Sequence, residues 1–171
     1  MKAGSPLNAT DCYHIGLVVP DIDSAAKRLT ASAGYEWTNP LEYSMDVVTA
    51  TGNQQVPFRF VYSLQAPHIE LIAEVPGTIW TATGAAAVHH LGYFVDDIAA
   101  ASAHLEQAGF QLEARPAGDT STFAYFIDPV GVRIEIVNRA LFPDWQVFLN
   151  AVAATPRSAR PDQRPGAPFQ C

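Results

Sequence analysis

Two cysteines, Cys12 and Cys171, are all the chain contains. One opens a β-rich stretch and the other ends a polar tail, so no disulfide framework is available and reduced thiols are expected. Basic residues are also scarce: ten Lys and Arg stand against seventeen Asp and Glu, a formal net charge of −7 with no cationic cluster. That balance lacks the electrostatic footprint of a nucleic-acid binder and excludes DNA or RNA as the main partner. No apolar run approaches the roughly 18 residues that a bilayer crossing needs, so no membrane partner is expected. Residues 1–10 hold no hydrophobic segment of the signal-peptide kind, which makes a cytoplasmic location the expectation. What is left is an apolar content of 49% in 171 residues, enough for one domain or for two small modules sharing a core.

Within that ordinary composition one phrase is written twice. Residues 13–22 read Tyr-His-Ile-Gly-Leu-Val-Val-Pro-Asp-Ile, and residues 89–98 read His-His-Leu-Gly-Tyr-Phe-Val-Asp-Asp-Ile. The copies agree at His14 and His90, Gly16 and Gly92, Val19 and Val95, Asp21 and Asp97, and Ile22 and Ile98, at an offset of 76 residues. So long an offset does not suit a solenoid and points to a domain built from two similar halves, each opened by a histidine-bearing strand.

The order of elements supports two halves. In the first, a strand from Cys12 to Val19 leads into a helix with N-cap candidates from Asp21 to Ser24 and a terminating Gly34. Three strands follow, around 41–50, 57–64 and 68–74. In the second, a strand over 88–95, a helix over 97–108 stopped by Gly109, and strands over 110–114, 122–127 and 132–138 repeat the order. The expected class is therefore α+β, with a lead-in over 1–11, one βαβββ module over 12–75, a linker over 76–87 and a second module over 88–138. A C-terminal helix over 139–154, with Pro143 in its first turn, presents Trp145, Phe148, Leu149 and Val152 on one face to the domain or to a second subunit. The tail over 155–171, rich in proline and arginine, is expected to be disordered.

Strand alternation then brings particular side chains together. His14 shares a face with Cys12, Gly16 and Val18, while Ile15, Leu17 and Val19 turn to the helix, so His14 points to the concave side of the sheet. His90, Gly92 and Phe94 do likewise, and His89 is expected on the helix side or in solvent. The last strands carry His68-Ile69-Glu70-Leu71 and Arg133-Ile134-Glu135-Ile136, which place Glu70 and Glu135 on the concave face with His68 and Arg133 beside them. A glutamate between isoleucines or leucines is costly to bury unless its charge is compensated. A divalent metal with two imidazole and two carboxylate ligands would do so.

These residues resemble the vicinal oxygen chelate superfamily, which includes glyoxalase I, methylmalonyl-CoA epimerase, extradiol dioxygenases and bleomycin-resistance proteins. The resemblance spans about residues 12–138 and rests on Tyr-His-Ile-Gly, His-Ile-Glu-Leu, the His-His-Leu-Gly-Tyr-Phe-Val-Asp-Asp phrase and the Phe-Ile-Asp-Pro-Val-Gly-Val-Arg-Ile-Glu-Ile run. It implies an open, cup-shaped mixed sheet with helices outside, around one divalent ion (Zn, Ni, Co, Mn or Fe) held by His14, Glu70, His90 and Glu135. Because the Glu70 position is filled, the isomerase and epimerase branch leads, and the expected activity is a metal-dependent isomerase, epimerase or lyase with proton transfer next to a carbonyl and a metal-stabilised enolate. Glu135 is the first candidate for the base. Glu42 is a second base or a solvated strand residue, and His68 is an acid–base group or a partner of Glu70. Arg133 holds an anionic substrate group or a salt bridge. Phe94, Tyr125 and, in the linker, Trp80 are candidates to contact a small-molecule substrate, hydrophobic or of CoA type, although no cluster of Arg and Lys is placed to seat CoA phosphates. The alternatives are an iron-dependent extradiol dioxygenase and a non-catalytic sequestering protein. Members of the family often form dimers, and the face from Trp145 to Val152 is one place for a homodimer contact.

Overall fold

The computed structural model describes residues 7–82 and 88–155. Among these residues eight strands and three α-helices follow the expected order: β1 Cys12–Val19, α1 Ile22–Ala33, β2 Leu41–Thr49, β3 Gly52–Tyr62, β4 Ile69–Ala73, β5 His90–Val95, α2 Ile98–Gln107, β6 Gln111–Pro116, β7 Phe123–Ile127, β8 Arg133–Asn138 and α3 Trp145–Ala154. The lead-in contains one short 3-10 turn, Ala9–Asp11, and the tail expected from residue 155 onward lies outside the described residues except for Thr155. Among the described residues no helix is long and apolar enough to cross a membrane.

Each matched position of the repeated phrase has the same structural duty in both halves. Asp21 caps α1 by accepting from the backbone N–H groups of Asp23 and Ser24, and Asp97 caps α2 by accepting from Ala100. Ile22 and Ile98 open the helices and are buried against the outer face of the sheet. Val19 packs there with Val61 and Leu71 under α1, and Val95 with Phe126 and Ile136 under α2. Gly34 ends α1 with φ 75°, a left-handed cap that suits glycine.

Within the first half β1 runs parallel to β4, which pairs antiparallel with β3, and β3 with β2; the second half repeats this with β5, β8, β7 and β6. The halves join along β1 and β5, with His14 opposite Gly92 and Gly16 opposite His90. The expected open cup closes into a barrel of order β1-β4-β3-β2-β6-β7-β8-β5. The reason lies in β6, which continues past Ala114 to Pro116. The two added residues let β6 pair with β2 at Val47↔Pro116, Val48↔Arg115 and Thr49↔Ala114.

Both ends of the barrel are plugged by tryptophan. Trp80 is fully buried between Phe58 and Tyr125, edge-on to each. At the other end α3 lies across the opening, with Leu149 and Val152 buried and Trp145 edge-on to Tyr13, Tyr62 and Phe94. The Asn39 amide donates to the carbonyls of Val152 and Ala153 at 2.9 and 3.1 Å, which satisfies part of the open helix terminus. Pro143 does not sit in the helix as expected. It precedes the N-cap Asp144, after a 3-10 turn at Arg139–Leu141. The apolar face of α3 considered for a dimer contact is covered by the barrel of its own chain.

Candidate metal centre

The two histidines meet inside the barrel because glycine lets them. His14 reaches over Gly92 and His90 over Gly16, and a Cβ on Gly16 would stand 1.9 Å from Cε1 of His90, one on Gly92 2.1 Å from Cε1 of His14. No side chain larger than hydrogen fits either place. The rings bring their Nε2 atoms to 2.7 Å. Glu70 Oε2 lies 3.3 Å from His14 Nε2 and 3.4 Å from His90 Nε2, and Glu135 Oε2 lies 3.3 Å from each. All four residues are buried.

Two charged carboxylates in an aromatic interior need compensation. Neither Glu70 Oε2 nor Glu135 Oε2 makes a hydrogen bond, and both atoms are fully shielded from solvent. Burial opposes ionisation of Glu70, but the His14 and His90 imidazoles outweigh it and hold the carboxyl well below its usual range. Burial would lower His90, yet its contacts with Glu135 and Glu70 raise it to about 9. Two imidazole nitrogens and two carboxylate oxygens thus converge, with ligand atoms within 4.8 Å of one another. This donor set, with its unpartnered oxygens, fits a divalent ion that accepts mixed nitrogen and oxygen ligands.

His89 does not face the helix or solvent as expected. It is buried, with Nε2 2.8 Å from the Ile79 carbonyl oxygen and Nδ1 3.0 Å from Nδ1 of His90. Burial and the charges of His90 and Arg133 hold its pKa down to about 3, so the ring is neutral. A carbonyl oxygen only accepts, so the proton of His89 is on Nε2 and its Nδ1 accepts from His90. His90 therefore presents Nε2 to the centre, an orientation of the kind that fixes a metal-ligating imidazole. His14 has no such support, since its Nδ1 is buried without a partner.

A second departure is a β-bulge between Cys12 and His14. One extra residue reverses the facing of the strand there. Tyr13 turns inward, stacked on Phe94 at 3.6 Å and edge-on to His14 at 4.4 Å, while Cys12 pairs with Tyr93 instead of sharing the face of His14. Tyr62 stands opposite Glu70 and Tyr125 opposite Glu135 in strand register. With Tyr43 these tyrosines line the cavity beside the two glutamates. Burial first, and the nearby Glu70 and Glu135 charges second, raise all four hydroxyls, so they remain protonated donors.

Other expected site residues lie apart from the centre. Glu42 points outside the barrel, where it accepts from Arg59 at 3.0 Å. His68 stands just before β4 at the α3 end, its Nδ1 3.0 Å from the Ser63 carbonyl and its ring edge-on to Trp145, and it makes no hydrogen bond to Glu70. The Arg133 guanidinium is held by Glu113, with Nη2 donating to Oε1 at 3.0 Å, and it reaches the His89 carbonyl at 3.4 Å. It is therefore engaged by a salt bridge and is not free for an anionic substrate group. Phe94, Tyr125 and Trp80 do face the interior. Tyr13, Tyr43, Tyr62, His89 and Trp145 are the site residues that the sequence reading missed. One signal was present for Trp145: Trp80 follows Glu70 by the same ten residues that separate Trp145 from Glu135.

A closed pair of βαβββ halves around a buried cluster of two histidines and two glutamates is the architecture of a duplicated barrel whose centre could hold a metal ion. Residues 13–126 match the model of the Glyoxalase/Bleomycin resistance protein/Dioxygenase superfamily, and the chain belongs to that superfamily. Among solved structures it resembles a methylmalonyl-CoA epimerase from Mycobacterium tuberculosis at 22% identity and TM-score 0.53, covering 81% of this chain and 92% of that one. A variant methylmalonyl-CoA epimerase from Streptomyces coelicolor in complex with 2-nitronate-propionyl-CoA matches at 19% identity and TM-score 0.52, covering 75% and 96%. A hypothetical protein from Bacillus halodurans matches at 16% and 0.52, covering 73% and 91%. No curated protein matches. At these identities the likeness is one of fold.

Proposed function

We propose that the chain is a metal-dependent isomerase or epimerase that moves a proton at a carbon next to a carbonyl group. The observation that carries this reading is the complete ligand set, with the Glu70 position filled and an unpartnered Oε2 on each glutamate. A divalent ion held by His14, Glu70, His90 and Glu135 would supply Lewis acidity towards a substrate oxygen. Glu135 is the base: it lines the cavity, its Oε2 has no donor, and its side chain is 10% exposed against 6% for Glu70. Tyr125, opposite Glu135, offers a protonated hydroxyl to the same space. Glu70 enters the cavity from the other half, and it takes the role of second base that the exterior position of Glu42 denies to that residue.

The test has two parts. Metal analysis of the purified protein should find about one divalent ion per chain, and His14→Ala should lose it. In deuterium oxide the loaded protein should place deuterium at an acidic C–H of a bound carbonyl compound. Glu135→Gln should slow that exchange by about 100-fold or more, as removal of a general base does, and still bind the compound. Unchanged exchange in Glu135→Gln removes this residue as the base. A second reading, sequestration of an apolar compound, draws on the aromatic enclosure of the cavity. Tight binding with no exchange in either protein would favour it.

A further inference from the structure

We infer that α3 is the entrance to the centre: a lid across one end of the barrel, latched by Asn39, that swings aside to admit any ligand larger than water. The inference goes beyond the proposed function and rests on it in one respect, that an organic molecule must reach the His/Glu centre. Proton transfer and sequestration require this alike.

The space beside Glu70 and Glu135 measures about 30 Å³. One enclosed water needs about 10 to 15 Å³, so about two fill it. Small-molecule sites usually measure about 300 to 1,000 Å³, and a carbonyl compound therefore finds no room until the barrel opens. Three boundaries could give way, and they are held differently. The β2–β6 seam is backbone pairing, continued by the Ala117 N–H, which donates to the Asp46 carbonyl at 2.9 Å. Parting it would leave paired backbone groups without partners. The Trp80 end is bolted: the Trp80 carbonyl accepts from the Val75 N–H at 2.8 Å and its N–H donates to the Thr78 hydroxyl at 3.0 Å. That hydroxyl donates in turn to the Val75 carbonyl at 2.7 Å, and the neighbouring Ile79 carbonyl is tied to His89. Moving Trp80 would disturb the support of His90.

α3 is fastened more lightly. Among the described residues its hydrogen bonds to the barrel come from the Asn39 amide, which reaches the carbonyls of Val152 and Ala153, and that of Thr155 just beyond the helix. Asn39 precedes β2 in the first half, whereas α3 follows β8 in the second, so the latch joins the halves across the mouth. Upstream, Arg139 is pinned to Asp96 and Asp11 at 2.9 Å each. Between that anchor and the helix, Pro143 and Asp144 are exposed and form the hinge, at an element terminus as hinges often are. Inside, Trp145 Nε1 is shielded from solvent and makes no hydrogen bond. A buried donor without a partner is costly, and water relieves it once the helix swings out. Leu149 and Val152, buried under the same helix, keep the closed form the major one.

The test labels the full chain with 5-fluorotryptophan, which gives one fluorine signal each for Trp37, Trp80 and Trp145. The Trp145 signal should show microsecond-to-millisecond exchange with a second, solvent-exposed state, as lids do, and the Trp80 signal should not. Asn39→Ala should raise the population of that state about tenfold, with Asn39→Asp, which keeps the shape and loses the donors, as a second variant. The parent signal needs neither a variant nor a metal. No exchange at Trp145, the same exchange at Trp80, or an unchanged population in both Asn39 variants overturns the inference. A second measurement follows release of Zn(II) from the loaded chain to 4-(2-pyridylazo)resorcinol, a chelator too large for the closed cavity. Asn39→Ala should speed release about tenfold, while Thr78→Ala, at the bolted end, should change it less than twofold. Equal acceleration by the two, or acceleration by Thr78→Ala alone, puts the entrance elsewhere and overturns the inference. Neither measurement involves turnover. Exchange at Trp145 without deuterium uptake into a carbonyl compound would uphold the lid and sink the proton-transfer reading, and deuterium uptake with an unexchanging Trp145 would do the reverse.

Discussion

The two halves of the barrel carry the same centre on different supports. Each supplies a histidine, a glutamate, a tyrosine opposite that glutamate, a glycine that makes room for the other half's ring, and a tryptophan plug. The residue before each histidine differs. In the first half it is Tyr13, turned inward by a bulge to pack on Phe94, and His14 keeps an unpartnered Nδ1. In the second it is His89, which ties His90 to the Ile79 carbonyl, next to Trp80. The repeat keeps what forms the buried His/Glu centre and what starts the helices. It lets the surroundings diverge, so the Nδ1 of His90 is tied by a hydrogen bond and the Nδ1 of His14 has no partner.

The comparison breaks first at its common element. If Gly16 and Gly92 serve only as room for the opposite ring, then Gly16→Ala and Gly92→Ala should fail alike. Each should lose about 3 kcal/mol of stability, the upper part of the range for overpacking a filled interior, together with most metal affinity. Thermal unfolding and metal titration check both. Metal affinity within threefold of the parent in either variant would mean that the rings have another way to meet.

Next in size is the difference between the supports. His89→Phe removes both hydrogen bonds and should cost about 10- to 100-fold in metal affinity, as loss of an imidazole's outer partner does. His89→Gln, with one acceptor and one donor at comparable reach, should recover most of it. The Nδ1–H signal of His90 in nitrogen-15 spectra should shift in the Phe variant and return in the Gln variant. Tyr13→Phe, at the corresponding place in the first half, should change metal affinity by less than about threefold, because no hydrogen bond joins Tyr13 to His14. Equal losses at the two positions would erase the asymmetry.

A further effect should appear with pH in the metal-free protein. His90 is raised to about 9 against an ordinary value of 6.5. A raised folded-state pKa contributes stability that is fully present below the unfolded value and is lost as pH rises through the folded one. Unfolding of the metal-free chain should therefore become easier from about pH 6.5 to about pH 9. Metal binding, which must displace the proton from His90, should strengthen over the same interval. A flat stability curve there would remove the ion cluster as the state of the empty centre.

Much of this was legible in the residues. The repeated phrase gave the order of elements, and alternation along β1, β4, β5 and β8 placed all four candidate ligands. The misreadings have local causes. Tyr13 depends on a bulge, which period-two counting cannot see. His89 faces inward because a linker carbonyl ten residues back, that of Ile79, accepts its proton, a contact that alternation along the strand does not show. Closure of the barrel depends on two more residues of β6, and strand ends are set by partners that a linear pattern does not name.

Glu42 is different, because its own strand carried the answer. Leu41, Met45 and Val47 are buried, while Glu42, Ser44 and Asp46 are exposed, so the alternation of β2 puts Glu42 on the outer face. There it is 51% exposed and paired with a partly exposed Arg59, an arrangement worth about 0 to 1 kcal/mol. Glu42→Gln should leave metal affinity unchanged and deuterium exchange within about twofold, where Glu135→Gln stops it. Exchange lost equally in both variants would mean that a group outside the barrel takes part in the chemistry, and the assignment of both bases to the interior glutamates would fail with it.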